Sequence, residues 1–403
     1  MLGADHLHGA GHLTIARTAG KLTPLRLGIV AGELSGDALG ASLVRGLADA
    51  TGQTPELIGV GGPALAGFGL NAVVPFERFD MHGFVEPLLR LPSLLTALRR
   101  IERAVLAAGV DAFVGVDFNV FNLLLERRLK RRGVRTVHFV SPSVYAWRRG
   151  RIKRLARSAD LLLTLFPFEA AFYAGEPLEV AYVGHPMADA MAPSRLDDRR
   201  REARRELGLA ADARVLALLP GSRRGEVQRL LDPFLAAAGR FADTSGATVQ
   251  VLIPVPRPDI APLVRARVAA DRARLSVRIL DEPARRALAA ADLALVKAGT
   301  GTLEATLSGV PMVVAYRLDR LSHAIARRLV HAEHFALPNL LAGEALVPEF
   351  IQDAVEPAAL AAALDLVAAD RDRLRARFAA LHARLRRDTA SSAAAAVMRL
   401  VGR

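Results

Sequence analysis

Cysteine is absent from the 403 residues, which rules out disulfides, thiolate metal sites and cysteine nucleophiles together. No apolar run reaches the length of a membrane span, so the 52% hydrophobic content belongs to globular cores, and the chain is long enough for two. The first two dozen residues, MLGADHLHGAGHLTIARTAGKLTP, lack the continuous apolar stretch of a signal peptide. Residues 1–24 read as a disordered extension, and the chain is expected to be cytoplasmic. The usual nucleotide signatures are missing as well. Walker A spacing does not occur, and Gly59-Val60-Gly61-Gly62-Pro63 lacks the third glycine of a dinucleotide fingerprint. Acidic residues fall short of basic ones, 41 Asp+Glu against 54 Lys+Arg, leaving a formal charge of +13. That balance suits nucleic acid, anionic membrane or phosphorylated substrates, and alone it does not choose among them. A nucleic-acid-binding role calls for a recognised module or a stripe of exposed aromatics, and neither is legible, so nucleic acid is not an expected partner.

What the chain does have is alternation. Apolar runs alternate with amphipathic stretches, the pattern of parallel sheets covered by helices. Strands are predicted at Leu25–Ala31, Glu56–Val60, Ala112–Val116, Arg135–Val140, Leu161–Leu165 and Val180–Val183. After the charged, helical-looking Leu196–Leu207 the pattern restarts, with strands at Arg214–Leu219, Thr248–Ile253, Val277–Leu280, Leu293–Val296 and Met312–Tyr316. One architecture therefore occurs twice. The fold class is α/β: two doubly wound, Rossmann-like domains facing a central cleft, hinged near Pro186–Leu209.

Several strand ends carry chemistry. In LLPGSRRGEV an apolar strand stops at Pro220-Gly221-Ser222, meets Arg223 and Arg224, and resumes as a helix. A glycine turn at a helix N-terminus can cradle phosphate on backbone N–H groups, with arginine as a fixed cationic fork; a solvated turn capped by Ser222 is the other reading. The segment AGTGTLEATL has the same form around Gly299, and Glu304 follows where a carboxylate can hold two ribose hydroxyls or complement the helix dipole. Ala31–Leu43, AGELSGDALGASL, crowds Glu33, Ser35 and Asp37 beyond the first strand, facing sugar hydroxyls or capping a helix. Asp117 ends the strand in VGVDFNVFN, placed to take a proton from a hydroxyl or to cap, with Asn119 and Asn122 as hydrogen-bonding partners. The stretch SPSVYAWRRGRIKR contains the only tryptophan, Trp147, with Tyr145 and Arg148, for stacking at a cleft edge or packing within the domain. In Met81–Leu106, Leu91, Leu94, Leu95, Leu98 and Ile101 form an apolar stripe beside Arg90, Arg99, Arg100 and Arg103. Such a helix packs on its own domain or lies in a lipid interface.

Taken together, AGELSGDALGASL, GVGGP, VGVDFN, HFVSPSVYAWR, LFPFEAAFY, VGHPMADA, LLPGSRRGEV, AGTGTLEATLSGVPMVVAYR and LPNLLAGEALVPEFIQ resemble the lipid-A-disaccharide synthase family of inverting GT-B glycosyltransferases. They occur in the family's order from Leu25 to about Gln352. Many relatives read Ala-Pro-Asp-Phe-Asn after the residue matching Asp117, where this chain has Phe118-Asn119-Val120-Phe121-Asn122, so the loop's second carboxylate is missing. The resemblance implies transfer of a diacylglucosamine from UDP-2,3-diacylglucosamine to lipid X (2,3-diacylglucosamine 1-phosphate), with Asp117 and Arg223 catalytic. It implies substrate contacts from Glu33, Ser35, Asp37, Asn122, Ser141, Trp147, Gly221, Ser222, Gly299, Thr300, Glu304 and Asn339, and no metal or cofactor. It further implies an acceptor-side, membrane-facing domain over residues 25–190 and a UDP-sugar domain over residues 191–403. The C-terminal helices would pack back on the first domain. The partners are the two lipid substrates and the anionic inner face of the cytoplasmic membrane, and a homodimer is allowed. The competing expectation is another enzyme acting on UDP-N-acetylglucosamine, a muropeptide glycosyltransferase or a 2-epimerase.

Overall fold

A computed structural model describes residues 23–79, 91–142, 150–210, 213–246, 248–271, 275–319 and 333–403. The predicted extension therefore lies outside the described residues up to position 22, as do Trp147 with its neighbours Tyr145 and Arg148, and positions 81–90 of the leucine-rich stretch.

The chain builds two parallel sheets. The first contains β1 (Arg26–Ala31), β2 (Glu56–Val60), β3 (Asn71–Ala72), β4 (Ala112–Val116), β5 (Arg135–Phe139), β6 (Leu161–Thr164) and β7 (Glu179–Tyr182), in spatial order β3-β2-β1-β4-β5-β6-β7. The second contains β8 (Arg214–Leu219), β9 (Val249–Pro254), β10 (Ser276–Leu280), β11 (Leu293–Lys297), β12 (Met312–Tyr316) and β13 (Glu349–Ile351), ordered β10-β9-β8-β11-β12-β13. Both are doubly wound, and every strand pairing is parallel. Strands such as β4 (AFVGV, buried throughout) read as continuous apolar runs because helices cover both faces of the sheet. The two strands the sequence did not announce, β3 and β13, are short edge strands with exposed or half-buried residues, so neither carries an apolar run.

In each sheet the strand order reverses at one place: between β1 and β4 in the first, between β8 and β11 in the second. Open α/β sheets bind ligands beyond the strand ends at such a switch point, because the adjacent crossovers leave in opposite directions and part there.

The second core takes over from Ala188 onward and keeps the helices Pro357–Ala369 and Arg371–Leu385 through Leu360, Leu364, Leu374 and Phe378. Of the three C-terminal helices, only Thr389–Val401 returns to the first sheet, burying Ala393, Ala394, Ala396 and Val397 in its core against the helix Leu34–Thr51. Asp189 fixes that return. Its carboxylate accepts hydrogen bonds from the N–H groups of Arg387, Asp388 and Thr389 and from the Thr389 hydroxyl. The leucine-rich helix Leu91–Ala108 packs Ala97, Leu98, Ile101 and Val105 against its own domain, which settles Leu98 and Ile101 as core. Leu95 stays 45% exposed, with Arg99, Arg100 and Arg103 exposed on the same helix.

Candidate active site

At the second switch point the loops after β8 and β11 line one cavity of about 470 Å³. Gly221, Ser222, Arg223, Gly299, Thr300 and Glu304 meet there. Gly221 has φ 129°, and a Cβ on it would lie 2.6 Å from Glu226, so the tight turn needs glycine. Ser222 does not cap the following helix, Arg224–Thr244. Glu226 does that work, its Oε2 accepting from the amides of Ser222 at 3.1 Å and Arg223 at 3.3 Å. Lys297, at the end of β11, reaches Glu226 Oε1 at 3.0 Å and lies 5.4 Å from the centre of the Tyr316 ring. Burial alone would raise the Glu226 pKa, but Lys297 and the two amides outweigh it and hold it low. The Arg223 side chain is 81% exposed and makes a 3.7 Å contact with Glu226. The cradle therefore places an anion of the protein's own among two cations and a helix N-terminus, the environment that stabilises phosphate. Glu304 stands half-buried in the cavity wall, its pKa raised by burial against the opposing charge of Arg285.

The first switch point is different in kind. Glu33 and Ser35 are exposed beyond β1, and Asp117 follows β4 half-buried. Asp117 and Phe118 both occupy the left-handed region, at φ 48° and 47°, a strained pair for non-glycine residues. Asn122, fully buried, stabilises the bend: its Nδ2 donates to the carbonyls of Asp117 (2.9 Å), Val116 (3.2 Å) and Val30 (3.2 Å). The Asp117 carboxylate accepts from Asn119 Nδ2 at 2.9 Å. Burial pushes its pKa up, with the charge of His138 and the Phe118 amide opposing. A carboxylate with raised proton affinity, at a ligand-binding edge, is equipped for general base work.

Several expected contacts prove to be internal supports. Asp37 is 2% exposed and accepts from the amides of Gly62, Ala64 and Leu65, capping the short helix Pro63–Ala66. It is therefore a cap, though not of its own helix. Asn122 spends its Nδ2 on backbone carbonyls while its buried Oδ1 has no partner among the described residues, and Ser141, 6% exposed, pairs with the Tyr173 hydroxyl at 2.8 Å. Asn339 is fully buried, clasping Val347 in both directions and donating to Glu349. A polar side chain bonded in this way braces the loops and strand ends around it. Two charged cavity residues escaped the sequence reading. Lys297 could have been found as a cation ending an otherwise apolar strand, and Glu226 as an acid three residues after the turn arginine.

Two doubly wound parallel sheets, each with its ligand-binding switch point, define the class as an α/β protein of GT-B architecture. Solved structures agree on the fold. A glycosyltransferase from Rickettsia africae superposes with a TM-score of 0.55 over 94% of this chain and 97% of that one, at 10% identity. A UDP-GlcNAc 2-epimerase from Methanocaldococcus jannaschii, solved with UDP-GlcNAc and UDP, superposes with a TM-score of 0.56 over 94% of this chain and all of the other (100%), at 13% identity. The particular family is settled by sequence. The model of the lipid-A-disaccharide synthetase family matches residues 27–397, and the lipid-A-disaccharide synthase of Azotobacter vinelandii is 45% identical over 379 residues, 94% of this chain and 99% of the relative. The chain belongs to the lipid-A-disaccharide synthase family and is a UDP-sugar-dependent glycosyltransferase of lipid A biosynthesis. The epimerase likeness is one of fold.

Proposed function

We propose that the two crevices divide one displacement between them. The reaction joins UDP-2,3-diacylglucosamine to 2,3-diacylglucosamine 1-phosphate, giving the β-1,6-linked disaccharide 1-phosphate and UDP. The donor diphosphate lies in the Gly221–Arg223 and Gly299–Thr300 cradle, and Glu304 holds the ribose hydroxyls. Asp117 removes the proton from the acceptor hydroxyl as its oxygen attacks the anomeric carbon. The bond to the diphosphate breaks on the opposite face, and UDP leaves with the electron pair. Arg223 and Lys297 stabilise the charge that grows on it. Glu33 and Ser35, exposed beside Asp117's strand end, bind sugar hydroxyls.

The observation that carries this reading is the pairing of opposite chemistries at equivalent topological positions: a proton-avid carboxylate after β4 and an open cationic turn after β8. The acyl chains find support in Leu34 (68% exposed) and Val120 (82% exposed), apolar residues in the first turns of the helices that follow β1 and β4. Among the described residues no helix is long and apolar enough to cross a membrane. The protein acts instead at the cytoplasmic face of the inner membrane, Leu95 and the exposed arginines of its helix meeting anionic lipid. The test is UDP release from the diacylated donor and lipid X, in detergent and in anionic vesicles. Leu95→Ser with Arg99→Glu and Arg103→Glu should reduce vesicle binding and vesicle activity while detergent activity holds. Equal losses in both media would remove this helix from the membrane contact.

A further inference from the structure

The helix Asn119–Lys130, which covers the end of β4, turns an unusual face to its sheet. Asn119, Asn122 and Glu126 recur at positions i, i+3 and i+7, so one side of the helix that meets the core is polar. Glu126 is fully buried. Its Oε1 lies 2.7 Å from Nδ1 of His138, also fully buried, near the carboxyl end of β5. Gly115 on β4 stands in register with His138, and a Cβ there would overlap Glu126 Oε1, so the absence of a side chain at 115 makes the room for this pair. From His138 the contacts continue outward: Nε2 is 3.2 Å from Asn119 Oδ1, and Asn119 Nδ2 donates to Asp117 Oδ1 at 2.9 Å.

We propose that Glu126, His138 and Asn119 form a positioning chain that orients the Asp117 carboxylate for its work on the acceptor hydroxyl, an inference that rests on the assignment of Asp117 as the base. The argument is one of donors and acceptors. Burial favours the protonated form of Glu126. Protonated, it donates to Nδ1, the single imidazole proton sits on Nε2, and Nε2–H points at Asn119. The amide of Asn119 is then left one orientation: oxygen toward His138, nitrogen toward Asp117. Flipped, it would set its oxygen against a carboxylate. The donated hydrogen bond favours the ionised form of Asp117, counteracting the burial that disfavours it. Packing alone gives no reason for the pair, since apolar residues of similar volume commonly serve a core as well or better. The second oxygen of Glu126 has no hydrogen-bond partner among the described residues, which makes the arrangement costly as well as specific. The other charged group that acts on Glu126 is Lys130, on the same helix, and it is paired with Asp160 at 3.1 Å.

The experiment compares kcat, donor KM and the pH profile of kcat for Asn119→Ala, Glu126→Gln, the double variant and Asp117→Asn, each in the full chain. Asn119→Ala should lower kcat by about ten- to a hundred-fold, the size of one hydrogen bond to a charged group, and move the acid limb to higher pH. Its donor KM should stay near that of the unaltered protein, because the donor sits at the other sheet. Glu126→Gln, which leaves the amide free to flip, should shift kcat and the acid limb in the same direction by less. The double variant should be no worse than Asn119→Ala, since Glu126 acts only through Asn119. A purely structural pair would instead lower the melting temperature with the acid limb unmoved, and losses would add; either result overturns the inference. Asp117→Asn separates the two claims. If it keeps turnover, the base assignment fails and the positioning chain with it. If it is inactive while Asn119→Ala and Glu126→Gln match the unaltered protein, only the positioning chain fails.

Discussion

The crevice beyond β1 and β4 and the crevice beyond β8 and β11 stand at the same point of the same topology, yet they are electrostatic opposites. The first is built from buried or half-buried acids and a buried histidine: Asp117, Glu126 and His138. The second is an open turn whose cation, Arg223, is largely in solvent and whose acid, Glu226, is already paired with Lys297. A switch point supplies a gap and strand ends that aim into it; the residues that follow each strand decide whether the gap handles protons or phosphate. The first crevice should therefore respond chiefly to pH and the second chiefly to salt and nucleotide.

The largest effect expected is at Asp117. Asp117→Asn should cut kcat by roughly 10²- to 10⁴-fold, the range of a lost general base, with UDP affinity intact. Calorimetric titration of UDP beside a turnover assay checks both halves, and weakened UDP binding would break the division between the crevices. Next comes Arg223→Ala, expected to lower kcat by roughly 10²- to 10³-fold because the cation matters most as charge grows on the leaving group. UDP affinity should fall as well. In the unaltered protein that affinity should weaken as salt rises, since an exposed cation is screened. Glu304→Ala is expected to weaken UDP binding by about ten-fold through lost ribose hydrogen bonds, with kcat little changed. A kcat loss as large as that of Arg223→Ala would place Glu304 nearer the breaking bond than the ribose.

The smallest effect is one of stability and belongs to the first sheet, beyond β6. Burial pushes the Glu169 carboxyl up to about 8 from an ordinary 4.5, against the opposing amides of Phe166 and Leu165. Between those values the unfolded chain ionises while the folded one stays protonated, so stability present below about 4.5 is lost as pH rises through 8. Glu169→Gln should raise the melting temperature at pH 8 by a few degrees, roughly what a kcal/mol does in a chain this size, and change it little near pH 5. His185 works on the acid side. Burial lowers it to about 4 from 6.5, so it stays neutral when folded, and its contribution is lost as pH falls through that interval. A melting curve for Glu169→Gln parallel to the unaltered protein's from pH 5 to 8 would show that the glutamate ionises freely in the fold.

The helices and strands were legible because each is a local pattern. β1, β4, β8 and β11 are apolar runs bounded by turn residues, and the helix Arg224–Thr244 follows a Pro-Gly-Ser break. Residues that end strands, Asp117 and the Gly221 and Gly299 turns, were legible for the same reason: their place at a strand's carboxyl end is a property of the chain. The helix Leu91–Ala108 shows where this stops. Its apolar stripe is evident in sequence, but whether lipid or protein covers it is not a local property, and here Leu98 and Ile101 went to the core.

The sequence by itself thus determined two doubly wound domains, their switch points and the acid or cation that ends each critical strand, because periodicity and turn chemistry act over a few residues. Only the tertiary structure decided what the remaining polar residues do. Asp37 reaches across 25 residues to the amide of Gly62, Asn122 across 92 to the carbonyl of Val30, and His138 across 12 to Glu126. Asp, Asn and Glu can each cap a helix, bind a ligand or brace a loop, and the choice goes to whichever unpaired amide, carbonyl or ring nitrogen the packed sheet brings within 3 Å or so. That partner is set by strand register and helix placement, which no short window of sequence contains.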